Sequence, residues 1–503
     1  MQKITLAALV ALAFSTAASQ AAVITVNSTS TNVADDGFCT LIEAIDSANL
    51  DTPSGTMSGE CIRGAGADIL ELQLAETYTL TAVNNSDPGP LGDSDGDNGL
   101  PSVTSEITIT GFDSIIERSD APDTPPFRIF RIPPAGRLML RDLTVRNGDR
   151  FVGGGTPQIN GGGILNQGSL VLDHVVIREN KAINAGGGID NVGQLTVIDS
   201  LFVENWAGEG AAVRVSRSEL SFGSAEIVRS TFTGNSTFEG PGTITCAPGT
   251  LDIFNSTVSG NVVGDGVGVS NCDLSIVNTT ITDNELSGLF VSSSHSPSPT
   301  QIKNTIIAGQ RLGPDCFFLN FGELVSRGHN LDSDDSCTLD APTDLPQTNP
   351  LLGPLADNGG PTPTHALLEG SPAIDAGDNT ECPVTDQRGV VRPRDGNSDG
   401  NAVCDIGAYE VALIAPIDEL QLQINALVDG GILTEQQGNV LFHHAELALD
   451  MAGRGNIEAA CNKTKALLNQ VQAYIYSRQL TEAEAQGVID AANRLLGDIG
   501  CSG

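Results

Sequence analysis

Apolar and polar positions recur in a fixed register through the middle of the chain. Six segments begin at a glycine or a cysteine, and the residue twelve positions later is asparagine in all but the first, where it is Gly148. Positions +4 and +9 are apolar throughout, and the starts are 32, 25, 30, 26 and 23 residues apart. A constant unit with variable connections is typical of stacked coils. The starts are Gly136, Gly168, Gly193, Gly223, Gly249 and Cys272.

The spacing inside each segment predicts two short strands separated by a bend. Positions +2 and +4 are apolar, as at Leu170 and Leu172, and this period of two is typical of a strand. Positions +7 and +9 form a second pair out of phase with the first, so the chain must bend at +5 or +6. Glycine runs at 161–163 and 186–188 predict a further corner. The fold class is therefore mainly β, a parallel β-helix, and the crossover rule favours the right-handed form.

The asparagine row at +12 is interpreted as structural. Coils stack about 4.8 Å apart, so equivalent side chains form ladders. Amide side chains at a corner can hydrogen-bond one another and the backbone there, which favours a scaffold role over a binding role.

Composition divides the chain into five parts. Lys3 and the apolar run from Ile4 to Phe14 indicate a signal peptide over 1–22. Residues 23–135 are interpreted as a cap with the first coils, 136–310 as the regular coils, and 311–411 as the C-terminal coils and their end. From Pro416 the chain is rich in Ala, Leu and Gln with helical periodicity, which predicts a small all-α domain over 416–503. Its four helices are predicted at 417–429, 434–452, 456–478 and 482–498.

Ten cysteines in an exported chain predict disulfides, although the sequence alone does not fix which residues pair. A metal site is the alternative, but no CxxC spacing supports it. The net charge of −37 disfavours nucleic acid and anionic membranes as partners. No later run is apolar enough to span a membrane, so we expect a secreted or surface-associated protein. Pairing of neighbours is one of the connectivities that the sequence allows, and it would join Cys39 and Cys61, Cys246 and Cys272, Cys316 and Cys337, Cys382 and Cys404, and Cys461 and Cys501.

Several motifs resemble families of secreted bacterial proteins. The segment from Cys39 to Ile45 resembles the CSLREAI-type signature of CSLREA-domain proteins, with Thr40 and Ile42 where the family usually has Ser and Arg. The segments 371–377, 386–389 and 404–410 resemble the choice-of-anchor Q ending. The helical tail resembles a FIMAH-type domain through its four-helix pattern, residues 425–428 and 437–439, and its cysteine pair. These resemblances imply an extracellular right-handed β-helix related in fold to pectate-lyase-like enzymes, without a settled activity.

Outward positions +6 and +10 of the first coils carry the residues best suited to catalysis. Asp142 and Asp199 lie two coils apart, roughly 9–10 Å, which is at the far edge of the separation in an inverting glycosidase. A lyase would instead use clustered carboxylates with a basic residue as proton acceptor. The alternative is an exposed strand face with ordinary ion pairs. The candidate catalytic residues are Asp142, His174, Asp199, Arg146 and Arg178.

Two acidic loops place oxygen-bearing side chains at alternate positions and suggest calcium as a ligand. The first contains Asp93, Asp95 and Asp97. The second contains Asp395, Asn397 and Asp399 and matches the start of an EF-hand loop, but Ile406 stands where the bidentate glutamate would be. Solvated acidic loops are the alternative, and the sequence carries no other cofactor fingerprint.

The sequence favours a non-catalytic, adhesin-like protein that presents its long surface to polysaccharide or a cell-surface glycan. The alternative is a polysaccharide lyase or glycoside hydrolase of pectate-lyase-like fold. A third interpretation is a purely structural surface spacer, which would retain no glycan. Trp206, the single tryptophan, follows Asn205 directly. We expect it to pack beneath a loop, and stacking on a sugar is the alternative.

Overall fold

The computed structural model describes residues 21–88, 94–150, 160–217, 222–238, 242–294, 300–397, 399–411, 416–453, 456–498 and 501. The signal-peptide prediction rests on residues 1–20, which lie outside this range. The chain forms two compact units, Met1–Val411 and Ala412–Gly503.

The first unit is a parallel β-solenoid, which confirms the predicted fold class. Each turn adds one strand to an eight-stranded parallel sheet, here called the second wall. Because successive strands pair in parallel, Ile164 stacks on Ile189 and Ile189 on Val213. The strands are Phe130–Ile132, Ile164–Asn166, Ile189–Asn191, Val213–Ser216, Ile244–Ala247, Val267–Ser270, Leu289–Ser293 and Cys316–Asn320.

The repeated segments form the long wall, a sheet to which each regular coil contributes two strands or one bent strand. Leu170 pairs with Leu138 and Leu195, so the register of the sequence repeat is the register of the sheet. The strands are Val23–Thr25, Ala67–Glu71, Thr77–Leu80, Glu106–Arg118, Arg137–Arg146, Ser169–Arg178, Gln194–Ile198, Leu201–Val203, Gly223–Val228, Thr231–Thr233, Gly249–Phe254, Thr257–Ser259, Asp273–Val277, Thr280–Thr282, Thr300–Lys303, Ile306–Ala308, Leu324–Ser326 and Leu331–Asp332.

A third, short wall follows the asparagine row. It has four parallel strands in the described residues, Asp149–Arg150, Lys181–Ala182, Trp206–Ala207 and Ser236–Thr237. Two antiparallel hairpins lie outside the solenoid walls, Asn85–Pro88 with Ser94–Asn98 and Leu352–Ala356 with Thr364–Leu367.

The predicted bend falls at position +6, where the backbone is left-handed in every repeat. The φ angles run from 46° to 55°, a region that Asn, Asp and His enter more readily than most side chains. This single left-handed residue turns the chain between the two strands and explains the change of phase between +4 and +7. The residues are Asp142, His174, Asp199, Arg229, Asn255 and Asn278, and Asn304 has the same conformation one coil later.

The asparagine row is a continuous ladder of hydrogen bonds inside the corner. Asn205 donates its Nδ2–H to Oδ1 of Asn235 at 2.9 Å and to the carbonyl of Ile177 at 2.8 Å. Asn235 repeats the pattern toward Asn261 and Phe202. These asparagines are fully buried, so each one satisfies backbone groups that water cannot reach. The ladder contains Asn180, Asn205, Asn235, Asn261 and Asn284 and ends on Gln310.

Helix α1, Leu41–Leu50, lies in the region predicted as the N-terminal cap. Thr40 and Glu43 form a capping box, in which each side chain bonds the other residue's backbone N–H. Leu41, Ala44 and Ile45 are buried in the solenoid's hydrophobic core. The sequence predicts a cap in this region but no helix was assigned to it, although Thr-x-x-Glu is a helix-start signal.

Residues 350–411, here called the returning segment, lie along the outside of the long wall. The sequence placed further coils in 311–411, and the structure differs from this expectation, because residues 311–332 complete one more turn and the returning segment adds none. Asn255, Asn278 and Asn304 each donate a side-chain N–H to a carbonyl of the returning segment. The segment therefore docks on a wall whose +6 residues are amides.

All ten cysteines form disulfides, and each disulfide joins two cysteines that follow one another along the sequence. Cys246–Cys272 ties two successive coils, and Cys39–Cys61 ties the N-terminus of α1 to the segment after it. The other bonds are Cys316–Cys337, Cys382–Cys404 and Cys461–Cys501.

The second unit contains four helices, as predicted. Two of them start at capping boxes, Thr434 with Gln437 and Thr481 with Glu484. No helix among the described residues of either unit is long and apolar enough to cross a membrane. The helices are α2, Pro416–Asp429, α3, Glu435–Gly453, α4, Ile457–Tyr476, and α5, Glu482–Asp498.

Candidate functional site

The returning segment divides the long wall into a covered part and an open part. Thr362 donates its hydroxyl to the carbonyl of Arg229 at 3.1 Å, which marks the edge of the covered part. The burial of position +8 changes at the same place. Leu201 is half-buried, whereas Thr231 and Thr257 in the next two coils are fully buried. The charged +6 residues thus lie at or before this edge, and the amide +6 residues lie beneath the returning segment.

On the open part of the long wall, the bend brings together the side chains of two consecutive residues, Asp173 and His174. His174 Nδ1 lies 2.8 Å from Oδ1 of Asp173. Neighbouring residues of a regular strand point to opposite faces, but the left-handed φ of 55° at His174 removes this alternation. Asp199 of the next coil completes a group whose ligand atoms all lie within 4.8 Å of one another. His174 and Asp199 were predicted from the outward row at +6, whereas Asp173 at +5 was not predicted.

Two arginines hold these carboxylates in place. Arg141 donates Nε–H to Oδ2 of Asp173 at 2.9 Å, and Arg229 donates to both oxygens of Asp199. Burial opposes ionisation of Asp173, yet hydrogen bonds from His174 and Arg141 outweigh it and keep the pKa of Asp173 below its usual value. The hydrogen bond to Asp199 raises the pKa of Arg229. The Asp173 carboxylate is therefore charged at neutral pH.

Of the other candidate catalytic residues, Arg146 and Arg178 lie apart from this group, and Asp142 stands opposite His174 in the preceding coil. Arg146 pairs with Glu117 at 2.6 Å, and Arg178 pairs with Glu179 and Glu204 at 3.1 and 3.4 Å. These arginines stand at +10, four residues beyond the bend and thus up to about 13 Å along a strand. The structure brings His174 and Asp199 together, keeps Asp142 two coils from Asp199, and engages both arginines in ion pairs elsewhere.

The two acidic loops differ from each other in the structure. Asp93 and the side chain of Asp95 lie outside the described residues, and Asp97 belongs to a hairpin strand. In the second loop Asp395 accepts the backbone N–H groups of Asp399 and Gly400 at 3.1 and 2.8 Å. These bonds close the loop without a cation, and calcium at either loop stays a prediction.

The charged residues of the terminal motif form a buried network within the returning segment. Arg392 is enclosed and donates to the carbonyls of Asp405 and Gly407 at 3.0 and 2.8 Å, while Glu410 lies 3.6 Å from it. Burial and the nearby charge of Glu410 raise the pKa of Asp405 to about 7. These buried contacts join parts of the terminal motif to one another, which is a structural role.

A groove lies on the short wall, next to the asparagine ladder. It has a volume of about 520 Å³, within the range of small-molecule sites. Its floor includes Trp206, whose ring stacks on Phe238 with centroids 4.6 Å apart. The surrounding side chains come from successive coils, because Lys181 pairs with Asp149 on one side and with Trp206 on the other. Glu204, Gly234 and Ser236 complete the lining.

Gly234 lines this groove without contributing a side chain to it. Gly234 occupies the left-handed +11 corner with φ of 65°, where the preceding coil has Glu204. A Cβ at Gly234 would meet nothing closer than 3.7 Å, so the space beside Trp206 is not needed for backbone packing. Sequence reasoning named Trp206 but expected it beneath a loop, because the opening depends on a neighbouring coil.

No protein-family model, no curated protein and no solved structure matches this chain. Fold and side-chain geometry therefore carry the functional argument, and the groove and the open wall are its two candidate sites.

Proposed function

We propose that the protein is an exported β-solenoid that binds a glycan in the groove beside Trp206. The observation that carries the proposal is an aromatic floor flanked by Lys181 and Glu204 in a groove of about 520 Å³. Aromatic faces bind the apolar faces of sugar rings, and charged side chains at the rim donate to or accept from hydroxyls. The right-handed form and membership of the CSLREA and choice-of-anchor Q families, with a FIMAH-type tail, belong to the same proposal.

The negative charge of the groove and of the whole chain favours a neutral glycan over an acidic one. Asp149 and Glu204 line the groove, with Glu179 at the neighbouring corner, and the chain carries a net charge of −37. A polyanionic glycan would be repelled unless cations bridged it. Lys181 supplies a donor for a hydroxyl without reversing this balance.

Export is supported by the five disulfides, which are typical of oxidising compartments. They agree with the signal peptide that the sequence predicts. We propose retention at the cell surface by association with glycan.

The enzyme alternative receives less support from the open wall. Asp199 is bound by Arg229 through both oxygens, so it is held away from the role of a free acid or base. Asp142 lies two coils away from it, which leaves the pair at the edge of the distance that an inverting mechanism requires.

A glycan array followed by calorimetry tests the proposal. We expect the purified protein to retain neutral glycans in preference to acidic ones. Trp206→Ala should weaken binding at least tenfold, because the stacking surface is removed. Phe317→Ala is the matched control, since Phe317 is an exposed aromatic stacked on Phe290 at the far end of the second wall, and it should bind as the wild type does.

Two results contradict the proposal. One is the absence of retention on every glycan tested, which would favour a structural spacer. The other is equal affinity of Trp206→Ala and the wild type. Release of an unsaturated product, detected by double-bond absorbance, would instead establish the lyase alternative.

A further inference from the structure

We propose that Asp173, His174 and Asp199 form a binding site for a divalent transition-metal ion on the open part of the long wall. The three side chains come from two successive coils, and their ligand atoms lie within 4.8 Å of one another. Among the described residues, this group alone brings three potential His, Cys, Asp or Glu ligands so close. The site is separate from the glycan groove, so it does not depend on the proposed function.

The distances suit a metal with short bonds. His174 Nδ1 and Asp173 Oδ1 are 2.8 Å apart. Two atoms at this separation, each roughly 2.0–2.1 Å from an ion, subtend an angle of about 85°. The oxygen of Asp199 must move inward by roughly 1 Å to share the ion at such bond lengths. This movement is within the reach of side-chain torsions.

The surroundings resemble the outer shell of a metal site. Arg141 bonds Oδ2 of Asp173 and leaves Oδ1 toward His174. Hydrogen bonds of this kind orient ligating carboxylates. The left-handed bend fixes His174 and Asp199 at equivalent positions of adjacent coils, which limits the disorder that binding must remove.

Arg229 competes with a metal ion for the carboxylate of Asp199. It donates to both oxygens of Asp199, whose side chain is 8% exposed, whereas the side chain of His174 is 50% exposed. An ion arriving from solvent therefore meets His174 and Asp173 first and takes Asp199 only when Arg229 yields one hydrogen bond. The structure thus assigns Arg229 the control of affinity.

The donor set selects the class of metal. One imidazole nitrogen and two carboxylate oxygens suit Zn²⁺, Ni²⁺ or Cu²⁺. Calcium prefers six to eight oxygen ligands, which this group does not supply.

The coils themselves offer conservative variants for the test. Asparagine occupies position +6 at Asn255, Asn278 and Asn304, with the same left-handed backbone. His174→Asn, Asp199→Asn and Arg229→Asn therefore change the ligands while keeping a residue that this bend accepts. Asp273→Asn serves as the control, because it removes an exposed carboxylate of the same wall three coils after Asp199.

The experiment is calorimetric titration of the full, chelator-treated chain with Zn²⁺ alone and with Cu²⁺ alone, with Cu²⁺ resonance spectra as a second readout. We expect one ion per chain and a nitrogen ligand in the spectrum. His174→Asn and Asp199→Asn should lose at least tenfold in affinity, Arg229→Asn should gain affinity, and Asp273→Asn should match the wild type. Each variant's fold is checked by its thermal transition.

Three outcomes overturn the proposal. These are no binding by the wild type, unchanged binding by His174→Asn, and a loss of affinity in Arg229→Asn. A double variant with His443→Gln and His444→Gln separates the site from the adjacent histidines of α3, and it must bind like the wild type. If that double variant abolishes binding, the ion sits on the helical unit and the assignment is wrong.

Discussion

Arg229 binds both carboxylate oxygens of Asp199 in the preceding coil, with Nε 2.8 Å from Oδ1 and a terminal nitrogen 2.6 Å from Oδ2. The pair stands where the long wall passes from open to covered. Bidentate geometry of this kind is the strong form of an ion pair. It also places an arginine at a left-handed corner that asparagine occupies in the next three coils.

Breaking this pair from one side should cost stability, and breaking it from both sides should restore most of it. Arg229→Asn leaves Asp199, which is 8% exposed, without its partner, and we expect a loss of about 1–3 kcal/mol. The double variant with Asp199→Asn removes the stranded charge and places asparagine at a position where later coils carry it. Denaturant unfolding of both single variants and the double variant gives the coupling energy. Additive losses would show that the pair contributes nothing.

A substitution in the middle of the asparagine ladder should lower the stability of the fold more than a substitution at the surface beside it. Asn235 is fully buried and bonds Asn205, Asn261 and the carbonyl of Phe202. Asn235→Ala leaves several of these groups unsatisfied, and we expect a loss of about 2–4 kcal/mol in the free energy of unfolding. Ser236→Ala, one residue on, should change it by less than about 0.5 kcal/mol. Urea midpoints measure both, and equal effects would contradict the scaffold role.

Gln387 should hold the returning segment on the long wall. Its buried amide accepts from the hydroxyl of Thr257 at 2.6 Å and donates to Thr231 and Thr362 at 2.7 and 2.9 Å. Gln387→Ala should therefore speed hydrogen exchange around residues 362–390 while leaving exchange in the coils before Arg229 unchanged. Gln347→Ala, at an exposed glutamine, is the control. Uniform protection in both variants would mean that the segment is held mainly by other contacts.

The sequence predicted the coils well because their periodicity is local. The apolar rows at +2, +4 and +9, the asparagine ladder and the four C-terminal helices all follow from spacing within a few residues. The returning segment escaped prediction, because its position depends on hydrogen bonds to coils more than 100 residues earlier, such as Asn278 to Asp405.

The candidate sites were predicted less completely for the same reason. Asp173 joins His174 because of the left-handed bend, and the groove at Trp206 is lined by side chains from successive coils. Both features depend on a backbone angle or a neighbouring coil. The pattern of hydrophobic residues along the sequence reveals neither the backbone angle nor the neighbouring coil.

The contribution of Asp332 to the stability of the solenoid should fall as pH rises from about 4 to about 6. Burial raises the pKa of Asp332 to about 6, and the nearby charges of Asp315 and Asp334 contribute in the same direction. One carboxylate oxygen of Asp332 accepts the backbone N–H of Cys337, and the other is buried with no hydrogen-bond partner among the described atoms. The folded chain therefore favours the protonated side chain, whereas the unfolded chain releases the proton near the ordinary pKa of 3.8.

The direction of this pH dependence follows from the difference in bound protons between the folded and the unfolded state. Between pH 4 and pH 6 the folded state binds more protons than the unfolded state, so stability is lost as pH rises and is constant above about 6 for this group. The full effect is on the order of 2–3 kcal/mol. Asp332→Asn stays neutral and keeps an acceptor for Cys337, so it should match the wild type at pH 4 and exceed its stability at pH 8. Denaturant unfolding at pH 4, 6 and 8 measures this, with exposed Asp340→Asn as the control. A variant less stable than the wild type at pH 8 would show that Asp332 is charged and favourably bound in the folded chain.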